Sequence, residues 1–283
     1  MSTSNETAGV GSGSAGSELA IGALFAVSGK RVLVTGGSRG IGLMVAHGFV
    51  VNGAQVLVTS RKAGAVAAAV EWLQAEALAS GSGGSADGMA ADVAADDGVA
   101  AVAEWVAAGG ASLDVLVNNA GTNWAAPLDK YPLAAFDKVM RLNVTAAFAL
   151  TQALRGALAA DGGGAVINIG SINGIKAPNM ETYAYSSSKA AVHHLTRHLA
   201  GFLADDNIRV NAVAPGPFPS KMMKATLEAF EAAIVAAVPL GRVGAAPDMA
   251  GVCLYLASAA ANYVTGAVIP VDGGALVGNS SAL

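Results

Sequence analysis

Tyr185 and Lys189 have the residue types and the spacing of a proton-transfer pair. They stand four residues apart, and on a helix such side chains lie on one face, about 5 to 6 Å from each other. A fixed cation favours the charged phenolate, so we expect Lys189 to lower the pKa of Tyr185 from its ordinary value near ~10. The phenol would then serve as a general acid or base close to neutral pH. Tyr183 is a competing phenol, but Ser187 stands four residues after it instead of a lysine.

Two further polar residues stand among apolar ones. Ser171 follows the mostly apolar run 166–170, so we expect its hydroxyl at the end of a strand, and Asn143 interrupts an apolar helical stretch. Considered alone, Ser171 would more often cap a helix or turn, and Asn143 would more often be a hydrogen-bonded buried amide. Together with Tyr185 and Lys189 they form a candidate catalytic set.

A glycine-rich loop joins the first predicted strand to the helix that follows it. Residues 35–42 read Thr-Gly-Gly-Ser-Arg-Gly-Ile-Gly. Glycines at positions 36, 40 and 42 allow the backbone to turn tightly and to approach a pyrophosphate, and the helix directs free N–H groups and its positive dipole end at that anion. An ordinary glycine turn is the alternative. The position at a strand-to-helix junction favours a dinucleotide site.

The second predicted strand ends without the carboxylate that commonly holds the adenosine ribose hydroxyls. It ends in Ser60-Arg61-Lys62, and Arg39 lies inside the glycine-rich loop. Two guanidinium groups suit the 2′-phosphate of NADP(H). The sequence therefore predicts NADP(H) ahead of NAD(H), with two arginines that merely face solvent as the alternative.

Other candidate cofactor contacts follow the third and fourth predicted strands. Asp92 and Val93 are placed to meet an adenine, although Asp92 could equally cap the next helix. The run Asn-Asn-Ala-Gly at 118–121 follows the fourth strand. Amide side chains at this edge of a sheet can bond the neighbouring loops, a cofactor, or both.

Short β-rich runs alternate with long Ala-rich stretches from residue 30 onward, which is typical of βαβ units and a parallel sheet. The runs are almost continuously apolar, as expected for strands covered on both faces. The predicted strands span residues 31–35, 55–60, 88–91, 114–118, 165–170, 208–214 and 268–271. The predicted helices span about 40–52, 62–79, 95–108, 132–160, 183–205, 219–237 and 247–258. The pattern shows no second domain.

Composition excludes several function classes. Of 283 residues, 53% are hydrophobic and 13% are charged, and the formal net charge is −4. This is a globular chain without the basic footprint of a nucleic-acid binder. A single cysteine, Cys253, and four histidines argue against an internal disulfide or a metal site and favour a reducing compartment.

No apolar stretch reaches the roughly 18 to 20 residues that a membrane span needs. Residues 1–18 are rich in Ser, Gly and Thr, and we expect a disordered tail there. We expect a cytoplasmic protein, with import into an organelle left open.

These motifs, in this order, resemble the short-chain dehydrogenase/reductase family. The resemblance rests on the glycine-rich loop, Asn-Asn-Ala-Gly at 118–121, the set Asn143, Ser171, Tyr185 and Lys189, Pro215-Gly216 after a strand, and Thr265-Gly266 with Asp272-Gly273-Gly274. The segments 118–124, 139–145 and 214–220 look most like the 3-oxoacyl (β-ketoacyl) reductase branch, including NADPH-dependent reductases of the rhamnolipid-synthesis type. The resemblance implies one Rossmann-type domain over residues 24–276, with a doubly wound, seven-stranded parallel sheet and helices on both faces.

The resemblance also implies a reaction. Ser171 would hydrogen-bond the substrate carbonyl, Tyr185 would deliver the proton, Lys189 would lower the pKa of that tyrosine and bind the nicotinamide ribose, and Asn143 would hold a water. The implied cofactor-binding residues for NADP(H) are Gly36, Ser38, Arg39, Gly40, Ile41, Gly42, Ser60, Arg61, Asp92, Val93, Asn119, Ala120, Gly121, Tyr185, Lys189, Pro215 and Gly216.

The expected substrate is a small carbonyl or alcohol compound, with an acyl thioester as the leading candidate. A steroid, quinone or sugar ketone is an alternative, as is a catalytically silent nucleotide-binding scaffold. The family implies a homo-oligomer, most commonly a tetramer. The apolar stretch after Gly216 is either a substrate lid or ordinary amphipathic packing, and it contains Phe218, Met222, Met223, Leu227, Phe230 and Ile234.

Overall fold

Seven parallel strands form one sheet, and their bounds are β1 Arg31–Thr35, β2 Gln55–Ser60, β3 Ser85–Ala90, β4 Val115–Asn118, β5 Ala165–Ile169, β6 Arg209–Pro215 and β7 Val268–Val271. The computed structural model describes residues 15–220 and 223–278. Across the sheet the strands follow the order β3-β2-β1-β4-β5-β6-β7. The order reverses between β1 and β4, as in doubly wound folds, and the predicted fold class is confirmed.

Helices occupy the connections between the strands. Their bounds are α1 Ala15–Glu18, α2 Ile21–Leu24, α3 Gly40–Val50, α4 Ala63–Ser80, α5 Asp96–Ala108, α6 Leu133–Met140, α7 Ala146–Ala153, α8 Arg155–Ala159, α9 Tyr183–Phe202, α10 Lys224–Ala236 and α11 Ala246–Ala257. A π turn, Arg141–Thr145, joins α6 to α7. Short 3₁₀ turns cover Leu128–Lys130, Ala160–Gly162, Ile172–Gly174, Ala204–Asp206 and Ala259–Ala261.

The hydrophobic core has two layers, one on each face of the sheet. Val32 and Val34 of β1 belong to one cluster of buried residues, and Leu33 between them belongs to the other. Successive strand residues point to opposite faces, so both faces of the sheet are covered. All five residues of β1 and of β5 are buried, which explains why their sequences are almost continuously apolar.

The predicted helix 132–160 is divided into three helices and a π turn. Within the turn, the backbone N–H of Ala146 donates to the carbonyl of Arg141, five residues earlier. A π turn adds one residue to a helical turn and occurs frequently at functional sites. The spacing of apolar residues did not predict this π turn, because alanine occurs on every face of the stretch 132–160.

The amino-terminal region is described only from residue 15. Most of the predicted tail, 1–18, lies outside the described residues, and its last four residues form the short helix α1. Among the described helices, none has the length and apolar character required to cross a bilayer.

Candidate active site

The loops after β1 and β4 meet where the strand order reverses, which is where open α/β sheets bind ligands. The backbone N–H groups of Asn119 and Ala120 both donate to Thr35 Oγ1, each at 3.0 Å. Asn119 Nδ2 donates to the carbonyls of Thr35 and Gly36 at 2.8 and 3.2 Å. Because both amide hydrogens of Asn119 are used in this way, its side chain shapes the loop that would contact a cofactor.

The glycine-rich loop contains space that side chains would fill. Gly36 and Gly40 have left-handed φ angles of 64° and 55°. A Cβ atom on Gly42 would overlap Asn119 Nδ2 and lie 2.5 Å from the carbonyl oxygen of Gly36. The first helical hydrogen bond of α3 starts from the N–H of Leu43, so the amides before it lack intrahelical partners. Such amides beside a closely approached backbone fit a dinucleotide pyrophosphate.

Arg39 and Arg61 lie in neighbouring loops, and both side chains are exposed. Beneath them, Ser38 Oγ and Ser60 Oγ lie 2.9 Å apart and share a hydrogen bond. This bond joins the glycine-rich loop to the carboxyl end of β2. Two exposed guanidinium groups at this junction fit a phosphate on the adenosine ribose.

The segment after β3 contains the predicted adenine contacts. Val93 is buried and Asp92 is exposed. The Asp92 carboxylate accepts a hydrogen bond from the N–H of Ala94 at 3.1 Å. The N-cap of α5 is Ala95, so the alternative interpretation of Asp92 as the N-cap is wrong.

Pro215 and Gly216 complete the same edge of the sheet. Pro215 ends β6, and the N–H of Gly216 donates to the carbonyl of Val271 in β7 at 2.9 Å. A Cβ atom on Gly216 would lie 2.7 Å from the Cα atom of Asp272. Close approach of two backbones requires glycine here.

Ser171, Tyr185 and Lys189 come together beside this edge. Lys189 Nζ lies 5.6 Å from the centroid of the Tyr185 ring and donates to the carbonyl of Ile169 at 2.7 Å. Ser171 follows β5, and its Oγ accepts from the N–H of Asn173 at 3.1 Å. The Ser171 hydroxyl also hydrogen-bonds the phenol of Tyr185. The arrangement provides a hydroxyl donor, a phenol and an ammonium around one point.

The structure corrects the expected effect of Lys189 on Tyr185. Burial raises the pKa of Tyr185 above its ordinary value, and the hydrogen bond from Ser171 opposes that rise. Burial also lowers the pKa of Lys189 to about 8. The ammonium lies below the ring and is engaged with a backbone carbonyl, so the interior environment has a larger effect on the phenol than the cation does. A raised pKa keeps Tyr185 protonated at neutral pH, as a proton donor requires.

Asn143 lies in the π turn and is 3% exposed. Its Oδ1 accepts from the N–H of Thr122 at 2.8 Å, and its Nδ2 donates to the Thr122 carbonyl at 3.0 Å and to Ser188 Oγ at 2.9 Å. Both amide hydrogens are therefore committed. A water on this side chain would have to donate to the remaining lone pair of Oδ1. Asn143 ties the loop after Gly121 to α9, next to Tyr185.

Three residues near the site were missed by the sequence analysis as functional positions. Thr122 and Ser188 hold Asn143, and Ser188 Oγ donates to the carbonyl of Tyr185 at 2.7 Å. His193, to which the sequence assigned no function, lies one turn after Lys189 and is 3% exposed. In the sequence, the position of His193 four residues after Lys189 is the signal that could have placed it beside the site.

Tyr183 has a different environment from Tyr185. Its ring packs edge-on against Tyr131 with centroids 5.6 Å apart. The Tyr131 hydroxyl donates to the carbonyl of Trp124 at 3.1 Å. Tyr131 therefore lies against the loop that follows β4, and Tyr183 packs on Tyr131.

The structure describes several residues of the predicted lid. Phe218 is 2% exposed and packs where a Cβ atom on Gly244 would overlap its ring, so it is a core residue. Phe230 in α10 is 62% exposed. Met222 and the side chain of Leu227 lie outside the described part of the chain.

Within the described part of the chain, no three His, Cys, Asp or Glu side chains are grouped as metal ligands.

The low pKa of Lys189 predicts a pH dependence of stability. Below pH 8 the lysine is charged in both the folded and unfolded states, and the cost of burying that charge is fully present. Between about pH 8 and pH 10.5 only the unfolded state keeps the proton, so stability rises with pH. Two to three pKa units correspond to roughly 3 kcal/mol. Urea denaturation gives the free energy of unfolding of the wild type and of Lys189→Met. Between pH 8 and pH 10.5, the wild type should gain stability relative to the variant. A difference that stays constant with pH would contradict the lowered pKa of Lys189.

Proteins of known family resemble this chain over most of its length. The family model described as enoyl-(acyl carrier protein) reductase matches residues 36–275. A rhamnolipids biosynthesis 3-oxoacyl-(acyl-carrier-protein) reductase of Pseudomonas aeruginosa is 43% identical over 197 residues, which cover 68% of this chain and 77% of that protein. A 7alpha-hydroxysteroid dehydrogenase of Escherichia coli (strain K12) is 34% identical over 193 residues, covering 68% of this chain and 75% of that protein. The solved Pseudomonas aeruginosa RhlG/NADP active-site complex is 41% identical, with a TM-score of 0.80, and covers 89% of this chain and 98% of that one.

Proposed function

The chain belongs to the short-chain dehydrogenase/reductase family of oxidoreductases, and from that premise we propose that it is an NADPH-dependent carbonyl reductase. The proposed substrate is a 3-oxoacyl thioester or a similar ketone, which is reduced to the 3-hydroxy product. The observation that carries the proposal is the grouping of Ser171, Tyr185 and Lys189 at the carboxyl end of β5.

The cofactor assignment has two supports. The glycine-rich loop offers free amides and close backbone approach, and two exposed arginines stand at the adjoining strand end. A similar chain has been solved as an NADP complex. When bound, NADPH supplies the hydride that the carbonyl carbon accepts.

The protein residues have distinct roles in this proposal. Ser171 donates a hydrogen bond to the substrate carbonyl oxygen and so orients it. Tyr185, protonated at neutral pH, delivers a proton to the oxygen as negative charge develops there. Lys189 holds Tyr185 in place, stabilises the phenolate left after proton transfer, and binds ribose hydroxyls of the cofactor. Asn143 is a positioning residue, because its contacts join the π turn to α9.

The 3-oxoacyl reductase and the hydroxysteroid dehydrogenase named above act, according to their names, on an acyl chain and on a steroid, so the test compares both substrate classes. A silent scaffold would have no need of the grouped Ser171, Tyr185 and Lys189. The test is NADPH oxidation at 340 nm with an acetoacetyl thioester and with steroid, quinone and sugar ketones. Turnover strongest with the thioester supports the proposal. Turnover with only one of the other ketones would make that ketone the substrate instead of the thioester. The absence of turnover with every compound would support the catalytically silent scaffold.

Arg61→Ala is expected to weaken NADPH binding and to reduce its preference over NADH. A charge-assisted hydrogen bond to a phosphate contributes about 1.5 to 3 kcal/mol, which is roughly a 10- to 100-fold change in affinity. NADH affinity should change little, because NADH lacks the 2′-phosphate. Titration of both cofactors measures this, with Arg155→Ala on α8 as a matched control. Equal NADPH and NADH affinities in the wild type would contradict the assignment.

We also expect a homo-oligomer, most simply a tetramer. The helices between residues 133 and 202 present large apolar side chains to solvent, including Phe148 at 42% and Phe202 at 72% exposure. Pairing of these faces between copies would bury them. Sedimentation at micromolar concentration should show the assembly, and a stable monomer would rule it out.

A further inference from the structure

His193 is a buried imidazole next to the active site that the proposed mechanism does not use. It lies on α9, four residues after Lys189 and eight after Tyr185, so the three side chains follow one face of the helix. Its residue surface is 3% exposed. A buried imidazole with no assigned task beside a catalytic lysine requires an explanation.

The ring touches both ends of the turn that carries Ser171. A Cβ atom on Gly170 would overlap His193 Nε2, and the ring carbon Cδ2 would lie 2.7 Å from that Cβ. At the far end of the turn, His193 has a hydrogen bond with the backbone of Gly174 that favours the protonated ring. Because such a bond favours protonation, its acceptor is the Gly174 carbonyl. The absence of a side chain at Gly170 is therefore what admits the imidazole.

The charge and tautomer of the ring follow from its surroundings. Burial, followed by the positive charge of Lys189 and to a lesser extent that of Arg197, lowers the pKa of His193 to about 4, although the Gly174 bond opposes this. The ring is therefore neutral at neutral pH. Nε2 has no hydrogen-bond partner, so Nδ1 is the nitrogen that donates to Gly174.

We propose that His193 is a positioning residue, whose Nδ1–H donates to the Gly174 carbonyl and whose ring packs under Gly170, so that the Ser171 hydroxyl is held against Tyr185. The proposal rests on the function proposed above for Ser171. A loose turn would leave the hydroxyl free to move by the small distances that oriented catalysis does not tolerate. The helix that carries Tyr185 thus also fixes the strand end that carries its partner.

Two substitutions separate the hydrogen bond from the packing. His193→Leu fills the space and removes the donor, whereas His193→Asn places an amide N–H close to the position of Nδ1. We expect His193→Leu to lower kcat at least about tenfold, with NADPH affinity unchanged within about twofold. His193→Asn should recover kcat to within about threefold of the wild type. His194→Leu, at the exposed neighbouring position, is the control. Equal kcat values for wild type and His193→Leu, or equal losses in the Leu and Asn variants, would overturn the proposal.

Gly170→Ala tests the packing from the other side. In the wild-type background the new methyl group would displace the ring, and we expect kcat to fall at least about tenfold. In His193→Asn the ring atoms that it would strike are missing, so the same change should cost less than about threefold. Losses of equal size in the two backgrounds would show that Gly170 and His193 are not coupled.

The same four proteins give a readout that does not require turnover. Urea unfolding midpoints should show that Gly170→Ala destabilises the wild type and has little effect in His193→Asn. If the wild type binds NADPH but reduces no carbonyl compound, the proposed function fails, and this cycle still tests the contact between His193 and Gly170. If the wild type is active and Ser171→Ala is not, while the His193 variants behave as the wild type, only the positioning role of His193 fails.

Discussion

Tyr185→Phe is expected to lower kcat by about 10² to 10⁴, because the variant loses the phenol that contacts both Ser171 and the Lys189 side chain. The ring and its packing are kept, so the fold and NADPH affinity should survive. Steady-state reduction of the best carbonyl substrate gives kcat, and fluorescence titration gives the NADPH affinity. Loss of kcat with unchanged binding is the signature of a group that acts in the chemical step.

Tyr183→Phe is the matched control for this prediction. Tyr183 packs edge-on against Tyr131, and Ser187 stands where a lysine follows Tyr185, so removal of the Tyr183 hydroxyl should be nearly silent. An inactive Tyr183→Phe together with an active Tyr185→Phe would show that the wrong phenol was assigned. If both variants matched the wild type, the scaffold interpretation would have to be adopted.

Lys189→Met is expected to be comparably inactive and to weaken NADPH binding as well. The variant keeps the length of the side chain but removes the ammonium that donates to the carbonyl of Ile169 and lies beneath Tyr185. Without this cation, the phenolate formed after proton transfer is disfavoured. The expected pattern is a loss in kcat of about 10² or more, combined with a raised dissociation constant for NADPH.

Lys138→Met, at an exposed position on α6, controls for the general effect of losing a positive charge. Normal NADPH affinity in Lys189→Met would remove the lysine from the ribose site while leaving its role beside Tyr185. A normal kcat in Lys189→Met would contradict the mechanism itself.

The inner strands were predictable because both of their faces are buried, whereas β7 is only partly buried and was identified by its short apolar run. The bounds predicted for the strands at 31–35, 55–60 and 268–271 agree with β1, β2 and β7. The third strand begins at Ser85, three residues earlier than predicted. It lies at the edge of the sheet, where polar residues such as Ser85 and Asp87 are tolerated and apolar periodicity is weak.

The geometry around the candidate site was less accessible to sequence analysis. The spacing of Tyr185 and Lys189 placed them correctly on one helical face. It did not show that burial would dominate the pKa of Tyr185, because burial depends on which elements cover the helix. For the same reason the amide of Asn143 and the imidazole of His193 could be located along the chain but not assigned partners.

The π turn between α6 and α7 has a consequence for insertions and deletions. An α-helix advances by about 100° per residue, so the extra residue rotates α7 by about that angle relative to a regular continuation of α6. Deleting one residue between 141 and 145 would regularise the helix. It would also turn Leu150, now 1% exposed, away from its packing site or carry Asn143 away from Thr122 and Ser188. This helical segment therefore has a residue count that the active site itself fixes.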